Sequence, residues 1–118
     1  MTTGTNQAPN LKMEGFAPSI AGGVTVQVSF KYKFTTALGE GSILQVLAFT
    51  ERAPAGAALH ELANADGTPL NTWNTYTKTF VTDAAITEGI SLLIQLTGSG
   101  NAGAAGVVYV DDVQVTQL

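Results

Sequence analysis

Cysteine is absent from this 118-residue chain, which excludes a disulfide framework, a thiol nucleophile and a zinc–cysteine site. Charge is scarce as well. Charged residues make up 12%, about half of ordinary globular usage. The basic residues are Lys12, Lys31, Lys33, Arg52 and Lys78, scattered along the chain, and the net charge is −4. Nucleic acid is excluded as a partner, because phosphate binding needs clustered Lys and Arg. No apolar run approaches the length that crosses a bilayer as a helix, so no membrane span is expected. The chain holds one histidine and one tryptophan. His60 stands beside Glu61 and has no second catalytic partner in pattern. There is no Gly-x-Ser-x-Gly elbow, no His-Glu-x-x-His helix and no phosphate loop, since Gly98-Ser99-Gly100 lacks the lysine and the helix that would follow. Nine carboxylates single out no pair for glycoside cleavage. An enzyme is not expected.

What is present reads as β structure. Apolar residues reach 45%, enough for a core and too many for wholesale disorder. The clearest element is Val24 to Phe34. Val24, Val26, Val28, Phe30, Tyr32 and Phe34 alternate with Thr25, Gln27, Ser29, Lys31 and Lys33, the signature of a strand with one buried face. Gly22-Gly23 supplies the turn before it. Further strands are predicted at Leu11 to Phe16, Ser42 to Thr50, Thr72 to Thr82, Ile90 to Thr97 and Val107 to Leu118, with a short one at Ala58 to Leu62. The expected fold is an all-β, antiparallel sandwich of about seven to eight strands, a single domain over residues 11–118. Residues 1–10 read as a polar tail. A tail of that composition is ordered only when something holds it, its own domain or a neighbouring copy.

Face assignment sharpens the reading. Phe30, Tyr32, Phe34, Tyr76 and Phe80 are expected in the core. The segment Ser42 to Thr50 is apolar on both sides. Its second set, Ile43, Gln45, Leu47 and Phe49, joins Leu93 and Gln95 in an apolar patch dotted with amides if the two strands lie in one sheet. Amides both donate and accept, which suits sugar hydroxyls, and Phe49 would be the one aromatic platform. Arg52, just beyond it, either bonds a ligand hydroxyl or caps the strand. The aliphatic members suit a protein partner or another subunit instead. In the closing strand the core face is expected to carry Val107, Tyr109, Asp111, Val113 and Val115. That would turn Asp111 inward, where either a hard cation such as Ca²⁺ or backbone N–H groups must satisfy it.

Four segments in order, GGVTVQVSFKYKF, NTWNTYTKTF, GISLLIQL and VVYVDDVQV, resemble the jelly-roll carbohydrate-binding modules attached to bacterial xylanases and cellulases, of the family 4, 9 and 22 type. The resemblance implies a jelly roll, an extracellular setting, a polysaccharide ligand and no catalysis. It implies that Asp111 helps hold a structural Ca²⁺. It also implies that Trp73 packs against the sandwich, although an exposed Trp73 would stack on a sugar ring. The sequence departs from the pattern before Leu11, where the family's opening segment is missing. A second reading follows from that departure: a self-assembling extracellular subunit of a filament or surface layer. In it, a neighbouring copy completes the sandwich with the segment from Thr2 to Phe16.

Overall fold

A computed structural model describes residues 1–17, 19–50, 58–65, 69–84 and 89–118, with backbone alone at 15, 16 and 58–65. Eight strands follow in chain order: β1 (Thr2–Thr3), β2 (Asn10–Ala17), β3 (Thr25–Thr36), β4 (Ile43–Thr50), β5 (Ala58–Ala65), β6 (Asn74–Val81), β7 (Ile90–Thr97) and β8 (Gly106–Gln117). They form two antiparallel four-stranded sheets, ordered β1-β8-β3-β6 and β2-β7-β4-β5. No helix occurs among the described residues. The architecture is the all-β sandwich that the alternation predicts.

The two inner faces make the core. From β3 come Val26, Val28, Phe30 and Phe34, and from β4 Leu44, Val46 and Ala48. From β7 come Ile90, Leu92, Ile94 and Leu96. All are fully buried. Period-two alternation puts every one of these on the same side of its strand. Phe30 stacks on Tyr76 at 4.7 Å between ring centres. Burial lifts the Tyr76 phenol to about 12, helped by the neighbouring Tyr32. A phenol held neutral in the folded state stabilises the fold fully below its unfolded pKa of 10.0. That contribution is lost as pH rises towards about 12. A denaturant series is therefore expected to show stability falling between pH 10 and 12 in step with tyrosinate absorbance. A flat profile through that window would contradict the burial.

The polar opening is tied to its own domain. Thr2 pairs with Val107 and Thr3 with Gly106 on β8. The Met1 nitrogen donates to the Val108 carbonyl at 2.7 Å, and the Val108 N–H donates back to the Met1 carbonyl at 2.9 Å. The chain then crosses to the other sheet. The Asn6 N–H donates to the Ser99 carbonyl, the Gly98 N–H to the Gln7 carbonyl, and the Leu96 N–H to the Pro9 carbonyl. β2 pairs with β7 from Asn10 opposite Gln95 to Met13 opposite Leu92. Of the two ways the tail could be held, the pairing here is to its own domain, and β2 starts at Asn10 rather than Leu11.

The closing strand departs from strict alternation. Ser29 faces Gln114 and Lys31 faces Asp111, so Asp112 and Val113 together span the single residue Phe30. This is a β-bulge, with Asp112 in the left-handed region at φ 53°, which a short polar side chain tolerates. The extra residue reverses the inward phase. Val108 and Val110 point to the core before it, Val113 and Val115 after it. Asp111 and Tyr109 consequently face outward and are exposed. The expectation that both belong to the core face is corrected on that ground.

Candidate functional site

Two sheet faces point away from the core, and the candidate residues divide between them. The first is the outer face of β2-β7-β4-β5. Even-numbered residues of β4 and β7 are buried, so Gln45, Leu47, Phe49, Leu93 and Gln95 are turned outward and half-buried. Gln45 stands directly opposite Gln95, and Asn10 stands opposite Gln95 on the other side. The backbone of Asn64 continues the same row on β5. An amide ladder therefore runs across the sheet. Beside it runs an aliphatic row, Leu93 opposite Leu47, flanked by Lys12. Lys12 is paired with Glu14 at 2.7 Å. Phe49 lies one row further on, opposite the buried Ser91.

Such a surface offers donors and acceptors in adjacent positions over an apolar floor. Each amide can give two hydrogen bonds and accept two. Among the described side chains of β2, β4 and β7, the charges on this face are Lys12 and Glu14, which pair with each other, and such a surface suits a neutral, hydroxyl-rich ligand that is amphipathic ring by ring. The structure brings Gln45, Gln95 and Phe49 together as the pattern anticipated. Arg52 lies outside the described residues. Asn10 falls in the polar stretch 1–10, yet it carries a strand signal: Asn10, Lys12 and Glu14 alternate with Leu11 and Met13.

Trp73 lies on the opposite side of the molecule, immediately before β6, and is 48% exposed. It does not pack against the sandwich as the resemblance implied. Lys33 on β3 holds its Nζ 5.1 Å from the Trp73 ring centre and 5.5 Å from that of Tyr109. An open pocket of about 360 Å³ next to this group is lined by Lys31, Trp73, Asn74, Thr75 and Asp111.

Asp111 does not sit in an oxygen cage. One of its carboxylate oxygens accepts from the Asp112 N–H at 2.8 Å, and its cross-strand neighbour is the cation Lys31. Among the described residues no three acidic or histidine side chains are gathered to hold a metal. The described surroundings of Asp111 therefore do not fit a Ca²⁺ ion, which takes six to eight oxygen ligands.

The two packed sheets and their strand order make the fold a jelly-roll β-sandwich of the carbohydrate-binding-module kind. It is shared with several solved structures. A family 4 module matches with a TM-score of 0.63 at 18% identity, over 99% of this chain and 81% of the other. A family 16 carbohydrate-binding module matches at 0.60 and 14%, over 98% and 74%. The N-terminal cellulose-binding domain of a Cellulomonas fimi β-1,4-glucanase matches at 0.59 and 15%, over 99% and 76%. No family model matches the sequence, and no curated protein does.

Proposed function

We propose that this chain is a non-catalytic, extracellular polysaccharide-binding module whose ligand lies across the outer face of β2-β7-β4-β5. The observation that carries the reading is the amide ladder. Gln45 opposite Gln95, with Asn10 beside them, sets hydrogen-bonding groups at strand spacing along a line. Neighbouring strands are about 4.8 Å apart, so successive amides meet successive hydroxyl clusters on an extended glycan. Leu47, Leu93 and Phe49 give the apolar floor on which the C–H faces of the rings rest. The fold supports the reading, since solved carbohydrate-binding modules share it. So does the low charge, because a neutral polysaccharide offers no counter-charge to attract.

The test is a binding measurement on soluble xylan, mixed-linkage β-glucan and cello-oligosaccharides, by affinity electrophoresis and calorimetry. The double variant Gln45→Ala/Gln95→Ala is expected to bind at least tenfold more weakly. Each lost hydrogen bond is worth about 0.5–1.5 kcal/mol, and 1.4 kcal/mol is tenfold in affinity. Thermal stability should stay near that of the parent, because both side chains face outward. Unchanged affinity in a folded double variant would remove this face from the binding site.

A further inference from the structure

We propose that the outer face of the other sheet is a second glycan-contact surface, on which Trp73 and Tyr109 act as stacking platforms either side of Lys33. It lies on the opposite side of the sandwich from the amide ladder and does not depend on it for its geometry.

The arrangement follows from register. Lys33 is paired with Tyr109 on β8. Tyr32 is paired with Asn74 on β6, which brings Trp73, one residue earlier, alongside Lys33 on its other flank. The three side chains form one row across β6, β3 and β8, with the ammonium between two rings. The next row is Thr75, Lys31 and Asp111. The row after that is Thr77, Ser29 and Gln114. An aromatic row is therefore bordered by hydroxyls, an amide and charges of both signs.

Packing alone does not account for this row. A tryptophan or tyrosine that served to cover its sheet would be largely buried, yet Trp73 is 48% exposed and Tyr109 54%. Two of the largest exposed apolar side chains of the described residues stand in one line. Lys33 holds each ring by a cation–π contact, which orders the rings before any ligand arrives and lowers the entropic cost of binding. A pyranose ring has an apolar C–H face and a hydroxyl rim. Here it meets a ring face beside Lys31, Asn74, Thr75 and Asp111, which line the adjoining pocket of about 360 Å³. Carboxylate and ammonium both bond hydroxyls well, since charge-assisted hydrogen bonds are the stronger ones. Among the described residues, Lys33 has no carboxylate within ion-pair distance, whereas Lys31 is 3.9 Å from Asp112. Lys33 therefore has donors to spare for a ligand.

Trp73 is the only tryptophan in the chain, so this face reports on itself. The same soluble xylan, β-glucan and cello-oligosaccharides are titrated while Trp73 emission is read. A shift in emission that tracks binding is expected in the parent protein and also in Gln45→Ala/Gln95→Ala. Tyr109→Ala keeps the reporter and removes one platform. It is expected to weaken the emission-detected binding at least tenfold while its far-ultraviolet spectrum and melting remain those of the parent. Binding seen by calorimetry with Trp73 silent overturns this second surface and leaves the amide face standing. An emission shift in Gln45→Ala/Gln95→Ala, with the affinity and the number of sites seen by calorimetry both unchanged from the parent, supports this surface and overturns the amide face. Parental affinity in Tyr109→Ala, a shift produced by protein concentration alone, or no binding by any of the glycans overturns it too.

Discussion

Removing residues 1–9 is expected to cost the domain most of its stability. The segment binds both sheets of its own sandwich. Its Met1 and Val108 exchange backbone hydrogen bonds on one side, and Asn6, Gln7 and Pro9 bond to Ser99, Gly98 and Leu96 on the other. Thr5 adds a bond from its hydroxyl to the Asn101 carbonyl. At about 0.5–1.5 kcal/mol for each of these six bonds, the loss comes to about 3–9 kcal/mol. A whole domain has only about 5–15 kcal/mol to lose. Truncation also uncovers the edge of β8, frees the backbone of Leu96, Gly98 and Ser99 at the end of β7, and opens the core around Thr3 and Met1, so aggregation should accompany unfolding. A single substitution gives the milder form of the same experiment. A Cβ on Gly98 would stand 1.8 Å from the Gly4 carbonyl oxygen and 2.9 Å from the Thr3 hydroxyl. Both are parts of the crossing segment. Gly98→Ala must push that segment away, at a cost of about 1–3 kcal/mol. Urea unfolding followed by circular dichroism measures both variants. A truncated chain as stable as the parent, and monomeric, would show that the crossing is ornamental. Rescue by mixing with intact chains would instead favour strand donation between copies.

The fold was legible wherever one face was unambiguous. β3 alternates without interruption over its whole length, and its buried residues are those that the alternation marks. β4 and β7 were legible as strands, and the amide patch as a conditional one. Only the register could bring Gln45 and Gln95 together, because no local pattern states which strands are neighbours. β8 misled for a specific reason. A bulge adds one residue, and every side chain beyond it changes face. Assigning the phase from Val113 and Val115 backwards placed Tyr109 and Asp111 inside, although Val108 and Val110 hold that position. The warning lay in the two adjacent carboxylates, Asp111 and Asp112, which strict alternation would divide between inside and outside. Trp73 was ambiguous for a different reason. It precedes β6, where alternation has not begun, and the resemblance gave it a packing role that the exposed rim does not need.

The depth of the core sets the last expectation. Phe30 is fully buried, stacks on Tyr76 and sits opposite the bulge of β8. Phe30→Ala is expected to destabilise the domain by about 3–5 kcal/mol, the usual cost of emptying an aromatic site that cannot collapse. Collapse is hindered here because β6 is paired to β3 without a break and β8 is paired to it on both sides of the bulge. The denaturant midpoint should fall with little change in slope. A second signal separates lost packing from general loosening. With the Phe30 ring gone, water reaches the Tyr76 phenol, so its pKa should drop from about 12 towards 10.0. The unfolded-state pKa is unchanged, so the alkaline loss of stability still begins near pH 10 and now ends sooner. Phe30→Leu, which retains most of the volume, should give a smaller loss and a phenol still raised. A cost below about 1 kcal/mol for Phe30→Ala would mean that the inner faces of the two sheets do not close over this position, contrary to the packing on which both sheet faces depend.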